Sequence, residues 1–229
     1  MTLVVLAHGS ANPAGTRAVE AVVARVRYRL PGVRVRAAYV EVCRPSLTQV
    51  LAEVEDEAVV VPLLCAEDNA VAAGAAAARG TLLANHLGPE RLLAQVTAER
   101  LRAAGARTGQ PVMLVVAGSH DPSAQGASAR SAQLLEEVWS GPVRAAHLTG
   151  HGRRMSEVVG DFLARGVAPP AVAPYFVAPG QFLDRTRSGA RTLGLEVVAD
   201  VLGDHPYVAE AVARRYRAAT ARRFALSLS

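Results

Sequence analysis

The hydrophobic pattern changes period along the chain in a regular order. Leu3-Val4-Val5-Leu6-Ala7 runs without a polar residue, as expected of a strand buried on both faces in a parallel sheet. His8 stands where that strand ends, and Gly9, Ser10, Asn12, Pro13 and Gly15 supply a turn. Val19, Val22, Val23, Val26 and Leu30 then fall at helical spacing, predicting a helix over 16–30. Residues 33–42 alternate as a strand, 46–55 read as a helix entered through Pro45, and 58–64 form a second fully apolar strand. The order is βαβαβ. After Cys65-Ala66-Glu67-Asp68-Asn69 the spacing and propensities predict an alanine-rich helix over 70–78, a short strand over 81–86, and a strongly amphipathic helix over 89–104. Residues 105–111 read as a linker.

From Val112 the order repeats: strand 112–117, turn Gly118-Ser119-His120-Asp121-Pro122, helix 123–139, strand 143–148, helix 154–164 and strand 171–177. The letters repeat as well. LAHGSANP matches VVAGSHDP, VVVPLLCAED matches AVAPYFVAPG, and LANHLGPERLLAQVTAERLRAA matches VADVLGDHPYVAEAVARRYRAA, which sets Gly88 against Gly203 and Arg102 against Arg217. Three collinear matches argue for duplication of a unit of about 110 residues. The expected fold is therefore α/β: two similar lobes, each a small parallel sheet flanked by helices, with a cleft between them. The expected boundaries are 1–106 for a first lobe carrying His8 and Glu41, and 111–229 for a second, degenerate copy.

Composition narrows the classes. With 229 residues and 51% hydrophobic content there is ample material for a core. No apolar run reaches the ~18 residues of a membrane span, and the opening strand is too short for a secretory apolar region, so a cytoplasmic protein is expected. Two cysteines, Cys43 and Cys65, make no disulfide framework. All 25 basic residues are arginine, and the net charge of +5 suits a carboxylate- or phosphate-bearing ligand. Nucleic acid is disfavoured as a partner despite a pI near 9.9, because aromatics are 4% of the chain, the arginines are scattered and no nucleic-acid motif is present. Nucleotide binding is disfavoured because no G-x-x-x-x-G-K or G-x-G-x-x-G follows a strand.

A strand ending in His8-Gly9-Ser10, a second closing on Tyr39-Val40-Glu41 before Pro45-Ser46-Leu47, and a third reading VVVPLL together resemble the class II chelatases, the sirohydrochlorin cobalt- or ferrochelatases of cobalamin and siroheme biosynthesis. The resemblance covers nearly the whole chain, in the two-lobed form whose second lobe has lost the histidine. It implies a metal chelatase that inserts Co²⁺ or Fe²⁺ into an octacarboxylate tetrapyrrole. The metal is then a substrate, and no nucleotide or permanent organic cofactor is involved. His8 and Glu41 match the family's first histidine and its strand-end acid. Metalation removes two pyrrole protons while the ion is handed over, so a base near neutrality beside a hard ligand suits the chemistry. Ordinary roles remain for both: His8 as a strand-end cap, Glu41 as a solvated carboxylate or a partner of Arg44.

Where the family carries a second histidine after the third strand, this sequence has Asp68-Asn69-Ala70, and Ala11 replaces an arginine common after the first motif. In the second lobe Ala117 and Thr149 take the places of His8 and Glu41, and Gln181-Phe182 that of the other histidine. Cys65 and Glu67, with Cys43 and Asp68, offer substitute donors near strand ends, while small core packing is the alternative for the cysteines. In the family strand order 2-1-3-4, strands ~4.8 Å apart separate the two thiols by roughly 10 Å, beyond disulfide reach. Ser10, Arg44, Arg153 and Arg154 are the candidates for the macrocycle and its carboxylates, with solvation the alternative for the arginines. His86 reads as packing, and His120, His147 and His151 form a second-lobe cluster, a candidate metal site with solvent-facing helix or strand ends as the alternative. The expected partners are a tetrapyrrole and a metal ion, in a monomer or homodimer. A binding protein that holds or delivers a metal or tetrapyrrole without turnover is the other reading, favoured by the missing histidine.

Overall fold

The computed structural model describes residues 1–55, 57–66, 81–120 and 124–227. The elements are β1 (Thr2–Ala7), α1 (Pro13–Arg29), β2 (Val35–Tyr39), α2 (Leu47–Ala52), β3 (Ala58–Pro62), β4 (Thr81–Leu83), α3 (Arg91–Ala103), β5 (Val112–Val116), α4 (Ala124–Trp139), β6 (Val143–His147), α5 (Met155–Ala164), β7 (Ala171–Pro174), α6 (Gln181–Thr192) and α7 (Pro206–Ser227). The helix expected over 70–78 lies outside the described residues.

Two all-parallel sheets result, ordered β2-β1-β3-β4 and β6-β5-β7. The first has the expected strand order. In the second, a single bridge between Val172 and Val198 stands beside β7. Both central strands, β1 and β5, are buried throughout, which accounts for their unbroken apolar runs. On one face of the first sheet Val4, Leu6, Ala38 and Val60 pack against Leu47 and Val50 of α2. On one face of the second, Met113, Val115, Ala146 and Val172 pack against Val158, Val159 and Phe162 of α5 and Ala190 of α6.

Helix ends follow local chemistry. Asn12 caps α1 by accepting from the Ala14 N–H at 2.9 Å, Pro13 opens the helix, and Arg27 and Arg29 sit in its last turn, where positive charge is favoured. Ser46 and Gln49 form a reciprocal capping box on α2. That box, with the turn before it, explains why β2 ends at Tyr39 and α2 begins at Leu47 rather than at the bounds expected from periodicity.

The compact units do not follow the repeats. One unit comprises Met1–Leu87 together with Asp204–Ser229, and the other Gly88–Gly203. The units cut across the repeats expected at 1–106 and 111–229, because the closing helix of each repeat packs with the other repeat's sheet. In the first unit α7 lies against α1 and β3 with Val208, Val212 and Ala213 buried. In the second, α3 lies against α4 and β7 with Leu93, Val96 and Leu101 buried. Two equivalent arginines mark the exchange: Arg215 of α7 donates to the Leu87 carbonyl at 2.8 Å, and Arg100 of α3 donates to the Leu202 carbonyl at 3.0 Å. Trp139, the only tryptophan, is buried in the second unit, donating to the Gln110 carbonyl at 2.7 Å beneath the Arg102 guanidinium.

Candidate active site

His8 follows the buried end of β1, and Glu41 follows β2. Parallel pairing continues past the strands: the Val40 N–H donates to the Ala7 carbonyl and the Glu41 N–H to the His8 carbonyl, each at 3.0 Å. These bonds set the two side chains on one edge, and His8 Nε2 lies 2.8 Å from Glu41 Oε1. Both are open to solvent, with side-chain exposures of 43% and 60%. That places the pair beyond the carboxyl ends of parallel strands, where open α/β sheets bind ligands.

The geometry depends on Gly9. Its φ of +107° is left-handed, and a Cβ there would collide with the Glu41 carbonyl oxygen. Val42, next to Glu41, also has a positive φ of 64°, a strained conformation for a β-branched residue, and the residue is 68% exposed. Cys43 closes the turn. Its thiol donates to the Ser10 carbonyl at 3.2 Å, its sulfur accepts the Ser10 N–H at 3.4 Å, and it lies 3.7 Å from the Thr16 hydroxyl. Cys43 thus ties the loop after β1 to the loop after β2. The sequence offers Cys43 as a flanking donor and marks nothing at Val42. The visible signal for this lacing was the pair of turns at equivalent positions after adjacent strands.

Cys65 is partly exposed as a residue, yet burial around its sulfur pushes the thiol up to about 12, so it carries little thiolate near neutrality. Glu67 lies outside the described residues, as do Asp68, Asn69 and Ala70. Among the described residues, no three His, Cys, Asp or Glu side chains are grouped to hold a metal ion. The structure therefore brings together His8 and Glu41, with Ser10 and Cys43 beneath them.

The arginines divide. Arg44 is exposed, with one long hydrogen bond to Gln49 at 3.4 Å. Arg153 and Arg154 are instead turned toward their own unit: Arg153 pairs with Asp161 at 3.3 Å and donates to the Glu157 carbonyl, while Arg154 donates to the carbonyls of His147 and Gly150 at 3.2 and 2.8 Å. Ser10 Oγ accepts the Asn12 N–H at 3.1 Å. In the second unit the place of Glu41 is taken by Thr149, whose hydroxyl is turned back onto the Ala117 carbonyl at 2.8 Å. His147 is buried, with Nε2 2.9 Å from Ser128 Oγ, and His86 lies near the end of the first sheet's short edge strand.

Solved structures share this architecture. SirB from Bacillus subtilis with Fe3+ superposes with a TM-score of 0.74 at 20% identity over 95% of each chain. The sirohydrochlorin chelatase SirB from Bacillus subtilis subspecies spizizenii in complex with cobalt gives 0.72 at 17% identity, over 95% of this chain and 94% of that one. DR2241 from Deinococcus radiodurans, a multi-domain protein with structural similarity to chelatases, gives 0.67 at 21% over 94% of this chain and 54% of its own. No curated protein matches by sequence. The fold is that of a two-lobed class II chelatase. The CbiX family model matches residues 2–104 and again 111–219, and the chain belongs to that family. The double match gives the repeat the same two copies that the letters show. Among the described residues no helix is long and apolar enough to cross a membrane.

Proposed function

We propose that the protein inserts Co²⁺ or Fe²⁺ into sirohydrochlorin or a related tetrapyrrole, with His8 and Glu41 handling metal and protons. The observation that carries this reading is the 2.8 Å approach of His8 Nε2 to Glu41 Oε1 at the open carboxyl edge of the first sheet. Two donors at that separation span one edge of the coordination polyhedron of an ion bound at about 2.0–2.2 Å, so both can bind the same ion side by side. They can also share a proton when no ion is present. The overall reaction converts a macrocycle with two N–H groups and one M²⁺ into the metal complex and two protons. The pair presents the ion, and as the pyrrole nitrogens displace it, imidazole and carboxylate accept the protons and pass them to water. Mixed N and O donors favour release, because they bind such ions more weakly than a thiolate set would. Arg44, beside the pair in sequence and exposed, is the arginine we assign to a macrocycle carboxylate; Ser10 shapes the loop on which His8 stands.

Anaerobic incubation with sirohydrochlorin and Co²⁺, followed by the absorption change on metalation, tests the reading. Wild type should exceed the metal-only control, and His8→Ala and Glu41→Gln should each lower the rate by about 10²–10⁴-fold, the usual worth of a proton-transfer group. A wild-type rate equal to the control refutes catalysis. The two-donor set among the described residues favours a second reading, a carrier that binds metal or macrocycle without turnover. Tight macrocycle binding with no metalation in the same experiment selects it.

A further inference from the structure

The second unit has lost the His8–Glu41 pair but carries two other histidines on the equivalent loops. His120 lies in the loop after β5 and His151 in the loop after β6; both are exposed, and their rings stand edge to face with centroids 6.1 Å apart. Neither counterpart in the first unit is a histidine: the repeat sets His120 against Ala11 and His151 against Cys43.

The loops that hold them are locked together by main chain. The Thr149 N–H donates to the Ala117 carbonyl and the His151 N–H to the Ser119 carbonyl, each at 2.8 Å. Gly118 and Gly150 both take left-handed φ values, 91° and 60°, and a Cβ on Gly118 would strike Thr149 while one on Gly150 would strike Ser119. The spacing of the two histidine backbones is thus fixed by hydrogen bonds and by close packing that only glycine allows.

We infer that His120 and His151 form a binding site for one divalent first-row transition ion, separate from the His8–Glu41 pair. An ion bound at about 2.0–2.1 Å to one nitrogen of each imidazole sets the ring centroids roughly 5–6 Å apart, so the observed spacing needs only small rotations of two exposed side chains. Two neutral imidazoles on a rigid frame select borderline ions such as Co²⁺, Ni²⁺, Cu²⁺ and Zn²⁺ over Ca²⁺ and Mg²⁺, and water completes the coordination. The inference does not depend on catalysis at His8.

Calorimetric titration of the full chain with Zn²⁺ tests it, in the His8→Ala background to remove the other site. His8→Ala should retain one bound equivalent, and adding His120→Ala or His151→Ala should weaken it more than ~10-fold, the least expected of a lost direct ligand given what outer partners contribute. Cu²⁺ spin resonance of the His8→Ala protein should show two nitrogen ligands, reduced to one by either substitution. Both side chains are exposed, and unchanged circular dichroism will show that the variants fold. No bound equivalent in His8→Ala, or equal affinity with and without His120 and His151, overturns the inference. Metalation by the His120→Ala variant of the otherwise native chain should match wild type, which keeps this test distinct from that of the proposed function.

Discussion

Gly9 and Gly118 occupy equivalent positions with similar backbone angles, yet only one of them supports the His8–Glu41 pair. Substituting either by alanine forces a Cβ into the neighbouring loop's carbonyl at a φ of +107° or +91°. Each change should destabilise the protein by about 1–3 kcal/mol, the scale of backbone strain at such positions, measured by denaturant unfolding. Gly9→Ala should in addition displace Glu41 from His8 and suppress metalation, whereas Gly118→Ala should spare it. His147 gives a different prediction. Burial, helped by the Arg154 charge, lowers its pKa below the ordinary 6.5 despite an opposing hydrogen bond to the Arg153 backbone carbonyl. A histidine harder to protonate when folded leaves the unfolded chain binding more protons in acid. With the Arg153 carbonyl acting only as an opposing acceptor, its contribution to stability is complete above pH 6.5 and lost as pH falls from there through the lower folded value. Unfolding free energies at pH 7 and pH 5 should differ less in His147→Gln than in wild type. Cys65 should alkylate far more slowly in the native protein than unfolded, since a thiol near 12 is ionised about once in 10⁴ molecules at pH 8.

Among the elements, the closing helices carry the test. Arg215 spans from α7 to two carbonyls, His86 and Leu87, at 2.9 and 2.8 Å, and removing it takes away both hydrogen bonds. Arg215→Ala should cost about 1.5–3 kcal/mol, as for a hydrogen bond to a charged group, and Arg100→Ala, with one such bond, should cost less. The strands were legible because a buried parallel strand is an uninterrupted apolar run: β1, β3 and β5 stand where the pattern puts them, β3 two residues and β5 one residue shorter. The first sheet's order and the pairing of His8 with Glu41 followed from the family resemblance. The helix α6 is not legible from its apolar pattern, because its buried face is Leu183, Thr186 and Ala190, of which only the first is a large apolar side chain. The exchange of α3 and α7 was illegible for a deeper reason. Two copies of one sequence have nearly the same apolar faces, so either helix suits either sheet by pattern alone.

At the scale of the molecule, the second unit is one continuous stretch and the first is two stretches on either side of it. A fragment of residues 88–203 holds its whole sheet and its helices, and should fold alone with a cooperative thermal transition by circular dichroism. A fragment of residues 1–87 lacks the helix that covers α1 and β3, and should gain native dichroism only when a peptide of residues 204–229 is added. The same arrangement imposes an order on synthesis. Residues 1–87 leave the ribosome first, yet the helix that completes their unit emerges only after about 115 further residues, at ~5–20 residues per second a wait of roughly 6–25 s. During that interval residues 1–87 present uncovered apolar surface while the later part of the chain is already emerging. Chains stalled on the ribosome near residue 190 should remain protease-sensitive in residues 1–87, and chains stalled about 40 residues past residue 229 should not.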